Sequence, residues 1–127
     1  MTMPQSEIGT EARAIAEQIE IVLDQPSTML SVLTVSGEVD MLTAPLLRTR
    51  VLDQLATTSV VVLDLSTVSF FGSAGLAVLV EARRAATAHR SDLRLVAGNR
   101  IVTRPMAISG IDQAFRVHSD LDEALTG

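Results

Sequence analysis

Ser73 is the residue of this chain best placed to do chemistry. It lies in Phe71-Gly72-Ser73-Ala74-Gly75-Leu76, between a β-branched run and the first residues with helical apolar spacing. A strand-to-helix junction puts its hydroxyl near unpaired amide donors and the positive end of a helix dipole. A phosphate carried there meets a favourable local field. Serine is also a preferred N-cap, and the two roles are compatible.

Nucleophilic catalysis is a poor fit. A nucleophile elbow needs glycine two residues before and two after the serine, and the earlier position is Phe71. Neither His89 nor His118 is tied to Ser73 by sequence, so no base is identified. The two histidines fall in different elements and lack a third ligand at suitable spacing, which argues against a metal site. Asp40 stands between a strand and a helix, where a turn or cap acceptor is expected. Asp64 closes a buried run and reads as a structural hydrogen-bonding group. Arg83, Arg84 and Arg90 read as a solvated helix face.

These residues need a scaffold, and the apolar periodicity supplies one. Ile19 to Leu23 and Met29 to Val35 read as two strands, with turn residues at Asp24-Gln25-Pro26-Ser27 between them. Gly37-Glu38-Val39-Asp40 closes the second. A helix is predicted over Ala44 to Leu55, capped by Thr43, with Pro45 tolerated in its first turn. Leu46, Leu47, Val51, Leu52 and Leu55 form its stripe. The run Val60 to Leu65 reads as a strand covered on both faces. The Ser73 helix follows to about His89, with Leu76, Leu79 and Val80 read as core. Gly72 and Gly75 are read as the residues that let the chain turn sharply there.

Leu93 to Ala97 is a further strand, Ile101 to Ile108 a helix ended by Ser109-Gly110, and Phe115 to Val117 a last strand. Asp120 to Leu125 closes the chain with a helical turn or two. After an opening hairpin, strands alternate with helices, the pattern of a mostly parallel sheet. The expected fold is α/β, with four or five strands in a mixed sheet and helices packed on it. Residues 1–17 form an extension, helical over Glu11 to Glu17 or unfolded, and residues 18–127 form the domain.

Composition narrows the function. The 127 residues are enough to bury a core without staples. With no cysteine, a disulfide framework and a thiolate metal site are excluded, which suits the cytoplasm. The net charge of −5 and the absence of a basic stripe argue against nucleic acid. Three Phe, with no Trp or Tyr, make no stacking platform. No apolar run is long enough for a membrane span, and the start lacks a signal-peptide pattern.

Three segments together carry a family pattern. The first is Gly37-Glu38-Val39-Asp40 before the Thr43 helix. The second is Leu63-Asp64-Leu65-Ser66-Thr67-Val68-Ser69-Phe70, leading into Gly72-Ser73-Ala74-Gly75-Leu76. The third runs from Val102-Thr103-Arg104 through Ser109-Gly110-Ile111 to Phe115 and Val117. Over roughly residues 19 to 125 the chain resembles the STAS-domain anti-sigma factor antagonists of bacteria, including actinobacterial forms. The resemblance implies the STAS (SpoIIAA-like) fold and a binding switch that is not an enzyme.

In such a switch the antagonist binds an anti-sigma factor with a serine-kinase fold and releases a sigma factor. Phosphorylation breaks the complex and a phosphatase resets it. Carried over by position, Ser73 is the phosphoacceptor, and Asp40, Thr43, Gly72, Ser73, Ala74 and Gly75 form the partner-binding surface. The chain has no Walker motif and needs no cofactor of its own; the partner supplies ATP and magnesium. Two positions depart from the family form Asp-Ser-Ser/Thr-Gly. Gly72 stands where Asp is usual, and Ala74 where a second hydroxyl is usual, leaving Ser73 the single acceptor in the turn. The alternative is a non-phosphorylated STAS module that senses a ligand or scaffolds a signalling assembly. A simple anion-binding module at the Ser73 helix terminus is a third reading.

Overall fold

A computed structural model describes residues 18–126. The expectation for residues 1–17 therefore lies outside the described residues. The elements are β1 (Ile19–Ser27), β2 (Leu30–Val39), α1 (Ala44–Thr57), β3 (Val60–Phe71), α2 (Ser73–His89), β4 (Asp92–Val96), α3 (Arg100–Ser109), β5 (Arg116–His118) and α4 (Leu121–Thr126). A 3-10 turn, Ile111–Ala114, joins α3 to β5.

The five strands lie in the order β1-β2-β3-β4-β5. β1 and β2 pair antiparallel, and the other three pairings are parallel. The mixed α/β sheet expected from the alternation is thus the observed one.

Side-chain alternation along the strands divides the core into two layers. Leu33, Val35, Val61, Leu63, Leu65, Leu93 and Leu95 point to one face and pack with Leu47, Val51 and Leu55 of α1, Leu79 and Ala82 of α2, and Val102 and Met106 of α3. Val32, Val62 and Val96 point to the other, where Ala124 and Leu121 of α4 cover them. Each fully buried Leu or Val contributes about 1.5–3 kcal/mol through apolar surface removed from water.

Three expectations need correction. Asp24 to Ser27 is not the hairpin turn; Ser27 pairs with Leu30 after a register shift, so Thr28 and Met29 make the turn. Pro26 fits in β1 because that strand is at the sheet edge, where a missing N–H breaks no ladder. β3 continues past Leu65 to Phe71 along β2, although its last pair with β4 is Asp64 with Val96. Its outer half has only one neighbour, so its polar residues Ser66, Thr67 and Ser69 are compatible with a strand. Finally, Val80 faces solvent; the buried face of α2 is Gly75, Val78, Leu79, Ala82 and Ala86.

Candidate functional site

Two loops meet at the carboxyl edge of the sheet. β2 and β3 are parallel neighbours that finish together, with Val39 opposite Phe71. The Gly72 N–H donates to the Val39 carbonyl at 3.0 Å, so the pairing continues into the loops themselves. The Asp40–Thr43 loop and the Ser73 turn are therefore held side by side. This is the edge of an α/β sheet where ligands and partners are usually met.

The Asp40 loop is fixed by its own side chains. Asp40 Oδ1 accepts from the amides of Leu42 (2.9 Å) and Thr43 (3.0 Å), an Asx-type turn. Thr43 was expected to cap α1 with its hydroxyl, and it does not. Its Oγ1 instead donates to the Glu38 carbonyl at 2.8 Å and accepts from the Asp40 amide at 2.9 Å. Thr43 is fully buried, so it knots the loop rather than offering a surface. The cause is its backbone, already helical at φ −93° and ψ −25°, which turns the hydroxyl away from its own helix.

The Ser73 turn is built differently from the expected cap. Gly72 is the N-cap residue of α2, with extended backbone (φ −91°, ψ −173°), and no side chain caps the helix. Its carbonyl accepts from Gly75 N–H at 3.0 Å and Leu76 N–H at 3.2 Å. Ser73 is the first helical residue and is exposed, and among the described residues its hydroxyl makes no hydrogen bond.

Gly75 is held to glycine by packing rather than by an unusual turn, whereas the room above Gly72 is bounded only by the exposed Phe70 ring. A Cβ on Gly75 would lie 2.8 Å from the Phe71 ring, and one on Gly72 would lie 3.1 Å from the Phe70 ring. Gly75 is buried, whereas Asp40, Gly72 and Ala74 are half-buried. Of the six residues assigned to the site, Ser73, Asp40, Gly72 and Ala74 thus reach the surface, and Thr43 and Gly75 hold it from below.

The sequence reading missed the apolar rim. Met41 is 84% exposed, Leu42 65% and Phe70 50%, all within a few residues of the two loops. The signal was present: Met41-Leu42 is an apolar pair in a strand-to-helix connection, where polar residues are the norm. Beyond Phe70 lies an open groove of about 670 Å³, running along α3.

Charge at the site is modest. Arg48 of α1 and Glu81 of α2 form a two-pronged ion pair, Nε to Oε2 at 2.7 Å and Nη2 to Oε1 at 2.5 Å. The guanidinium's hydrogen bonds hold the Glu81 carboxyl below the usual glutamate range. Among the described residues no group of three His, Cys, Asp or Glu is arranged to hold a metal. His118 pairs through Nδ1 with Glu123 at 3.3 Å on the far side of the sheet, and His89 ends α2. Asp64 has the expected structural role, accepting from the Ser66 amide at 3.0 Å. Among the described residues no helix is long and apolar enough to cross a membrane.

Comparison with known proteins agrees with this geometry. The STAS domain family matches residues 18–124. The chain is 36% identical over 103 residues to the anti-sigma-F factor antagonist RsfB of Mycobacterium tuberculosis, covering 77% of this chain and 80% of that protein. The crystal structure of an anti-sigma factor antagonist from Mycobacterium paratuberculosis superposes with a TM-score of 0.78 at 34% identity, over 85% of this chain and 92% of that one. SpoIIAA in its unphosphorylated form gives a TM-score of 0.70 at 17% identity, over 84% and 93% of the two chains, a likeness of fold. With its five-stranded mixed sheet and its serine at the head of α2, the chain belongs to the STAS domain family.

Proposed function

We propose that this protein is an anti-sigma factor antagonist whose binding is switched at Ser73. The observation that carries the reading is an exposed serine with a free hydroxyl, at the head of a helix, beside a rigid loop with an apolar rim. The 36% identity to a protein named as an antagonist supports the same class.

Met41, Leu42 and Phe70 supply apolar contact area for a partner, and Asp40 and Gly72 set the shape between them. The partner is an anti-sigma factor with a serine-kinase fold. It brings ATP and magnesium, and this chain brings the acceptor hydroxyl, so the chain is a substrate and ligand rather than an enzyme. A phosphate at Ser73 adds about −1.5 to −2 charges to a surface that must be desolvated on binding. The complex then separates, and a phosphatase returns the protein to its binding form. The site of action is the cytoplasm, where sigma factors work.

The test is binding of the anti-sigma factor recovered from native lysate to wild type, Ser73→Ala and Ser73→Asp, by calorimetry. Ser73→Ala is expected to bind like wild type and Ser73→Asp at least tenfold more weakly. Equal affinity of the two variants would remove Ser73 as the control point and favour a ligand-sensing module.

A further inference from the structure

A second concave site lies at the opposite edge of the sheet from Ser73. α2 runs from Ser73 to His89, about 25 Å for its 17 residues, so its two ends reach opposite edges. At the far end the chain turns through Arg90 and Ser91 into β4. β5 begins alongside, with Arg116 opposite Arg94 of β4. Between the end of α2 and the start of β5 is a cleft of about 260 Å³, and Arg83, Arg90 and Arg116 all line it. Ala86 and Leu93, both buried, close its floor.

Sequence spacing and one hydrogen bond gather the three arginines. Arg83, Thr87 and Arg90 are four and three residues apart, so the end of α2 presents them on one face. Arg83 Nε donates to the Ala114 carbonyl at 2.8 Å, which lays this side chain across the cleft toward β5. Among the described residues, neither Arg83 nor Arg90 belongs to an ion pair. Asp92 is the carboxylate that lines the cleft. Its Oδ2 accepts from Arg94 Nε at 3.0 Å and lies 3.7 Å from Arg116 Nη1, so its charge is engaged chiefly by Arg94. The cleft is therefore positive, on a chain whose net charge is −5.

The backbone gives an independent sign. Among the described residues, Arg90 is the single non-glycine residue with a positive φ, at 56°. An L side chain is strained there and glycine is not, and such strain gathers at functional positions. The helix end needs only the N–H of this residue, which donates to the Ala86 and Thr87 carbonyls. What arginine adds over glycine is a guanidinium on the rim of the cleft.

We propose that this cleft binds a small phosphoryl anion, a phosphate monoester or a pyrophosphate. Guanidinium forks match phosphate oxygens two at a time, and three forks around one concavity suit a dianion better than a single carboxylate. The negative end of the α2 dipole opposes an anion by about half a charge, which three guanidinium groups outweigh. The volume is below that of pockets for drug-sized ligands, so the ligand is compact. The strain kept at Arg90 is the stability given up for this contact.

The test is titration of the full chain with inorganic pyrophosphate and, separately, glycerol phosphate, following the arginine Nε–H signals by NMR. It needs no partner protein, so its outcome is independent of the reading of Ser73. Saturable shifts of the Arg83, Arg90 and Arg116 signals are expected. Arg90→Gly and Arg116→Gln should each weaken binding about tenfold, the loss of one charge-assisted contact. Arg90→Gly should do so while raising the melting temperature. Arg84→Gln removes the same charge from an exposed position of α2 outside the cleft and should leave the affinity unchanged. Shifts that never saturate overturn the proposal. An equal loss in Arg84→Gln and Arg90→Gly also overturns it, as the mark of attraction without a site. Tighter binding of a phosphoserine peptide than of glycerol phosphate overturns it too, by assigning the cleft to a phosphorylated protein.

Discussion

The Gly72 N–H and the Val39 carbonyl, 3.0 Å apart, join the two loops of the site after their strands have ended. This bond sets the distance between the Asp40 loop and Ser73. The two loops are therefore tied to each other as well as to their own strands, and variants that loosen either loop should alter both.

Gly75→Ala is expected to be destabilising by about 1–3 kcal/mol, the usual cost of overpacking a filled core. The new methyl meets the Phe71 ring at 2.8 Å, and that ring is itself buried. Urea unfolding measures the loss. Combining Gly75→Ala with Phe71→Leu should cost less than the sum of the two single changes, because the leucine makes room for the methyl. Additive losses would show that the ring is not what excludes a side chain at Gly75.

Asp40→Ala leaves the amides of Leu42 and Thr43 without their acceptor and is expected to cost about 1 kcal/mol. Asp40→Asn keeps an oxygen in place and should cost less than half as much. Thermal unfolding of the two variants distinguishes them. An equal loss in both would mean that the carboxylate's charge, rather than its hydrogen bonds, holds the loop.

Arg90→Gly should stabilise the protein. Arg90 ends α2 in the left-handed conformation at φ 56°, where a side chain is strained and glycine is not. Its N–H still donates to the Ala86 and Thr87 carbonyls, so the cap survives the change. The expected gain is about 0.5 kcal/mol after the added freedom of glycine in the unfolded chain is set against it. A lower melting temperature would contradict this account of the cap.

The Arg48–Glu81 pair predicts a small acid sensitivity. The Glu81 carboxyl is depressed in the folded protein, mainly by hydrogen bonds from Arg48. A depressed carboxyl adds stability above its unfolded value and loses it as pH falls through the folded value. Glu81→Gln should therefore be slightly less stable than wild type at neutral pH and equal to it once pH has dropped below the depressed folded value of Glu81. High salt should shrink the neutral-pH difference, since both groups are solvent-exposed. A difference that persists in acid would point to lost packing instead.

Much of the scaffold was legible in the sequence because it rests on local signals. The β-branched run Val60 to Leu63 reads as a covered strand, and Ser109-Gly110 stops α3 with Gly110 at φ 80°, as a left-handed cap should. The strand-to-helix change around Ser73 falls where the spacing predicted it. The details that escaped depend on neighbours. The outer half of β3 is a strand because β2 extends beside it, and nothing in Ser66-Thr67-Val68-Ser69 reveals that partner. Thr43 has the composition of a cap but is drawn to the Glu38 carbonyl by the fold of its loop. Gly75 reads as a turn residue, and only the position of the Phe71 ring discloses a steric role. Met41 and Leu42 look like loop filler until their exposure is seen.

Among the described residues the hydroxyl of Ser73 takes no part in holding the fold together; the Gly72 carbonyl and the Phe71 ring do that work. A group added to that oxygen would break no internal bond and displace no packed atom. Such a mark would be written and erased on a protein whose shape stays constant throughout. Any message it carries would be legible to a partner as charge, and the messenger, with that charge at the positive end of the α2 dipole, would be no less stable for carrying it.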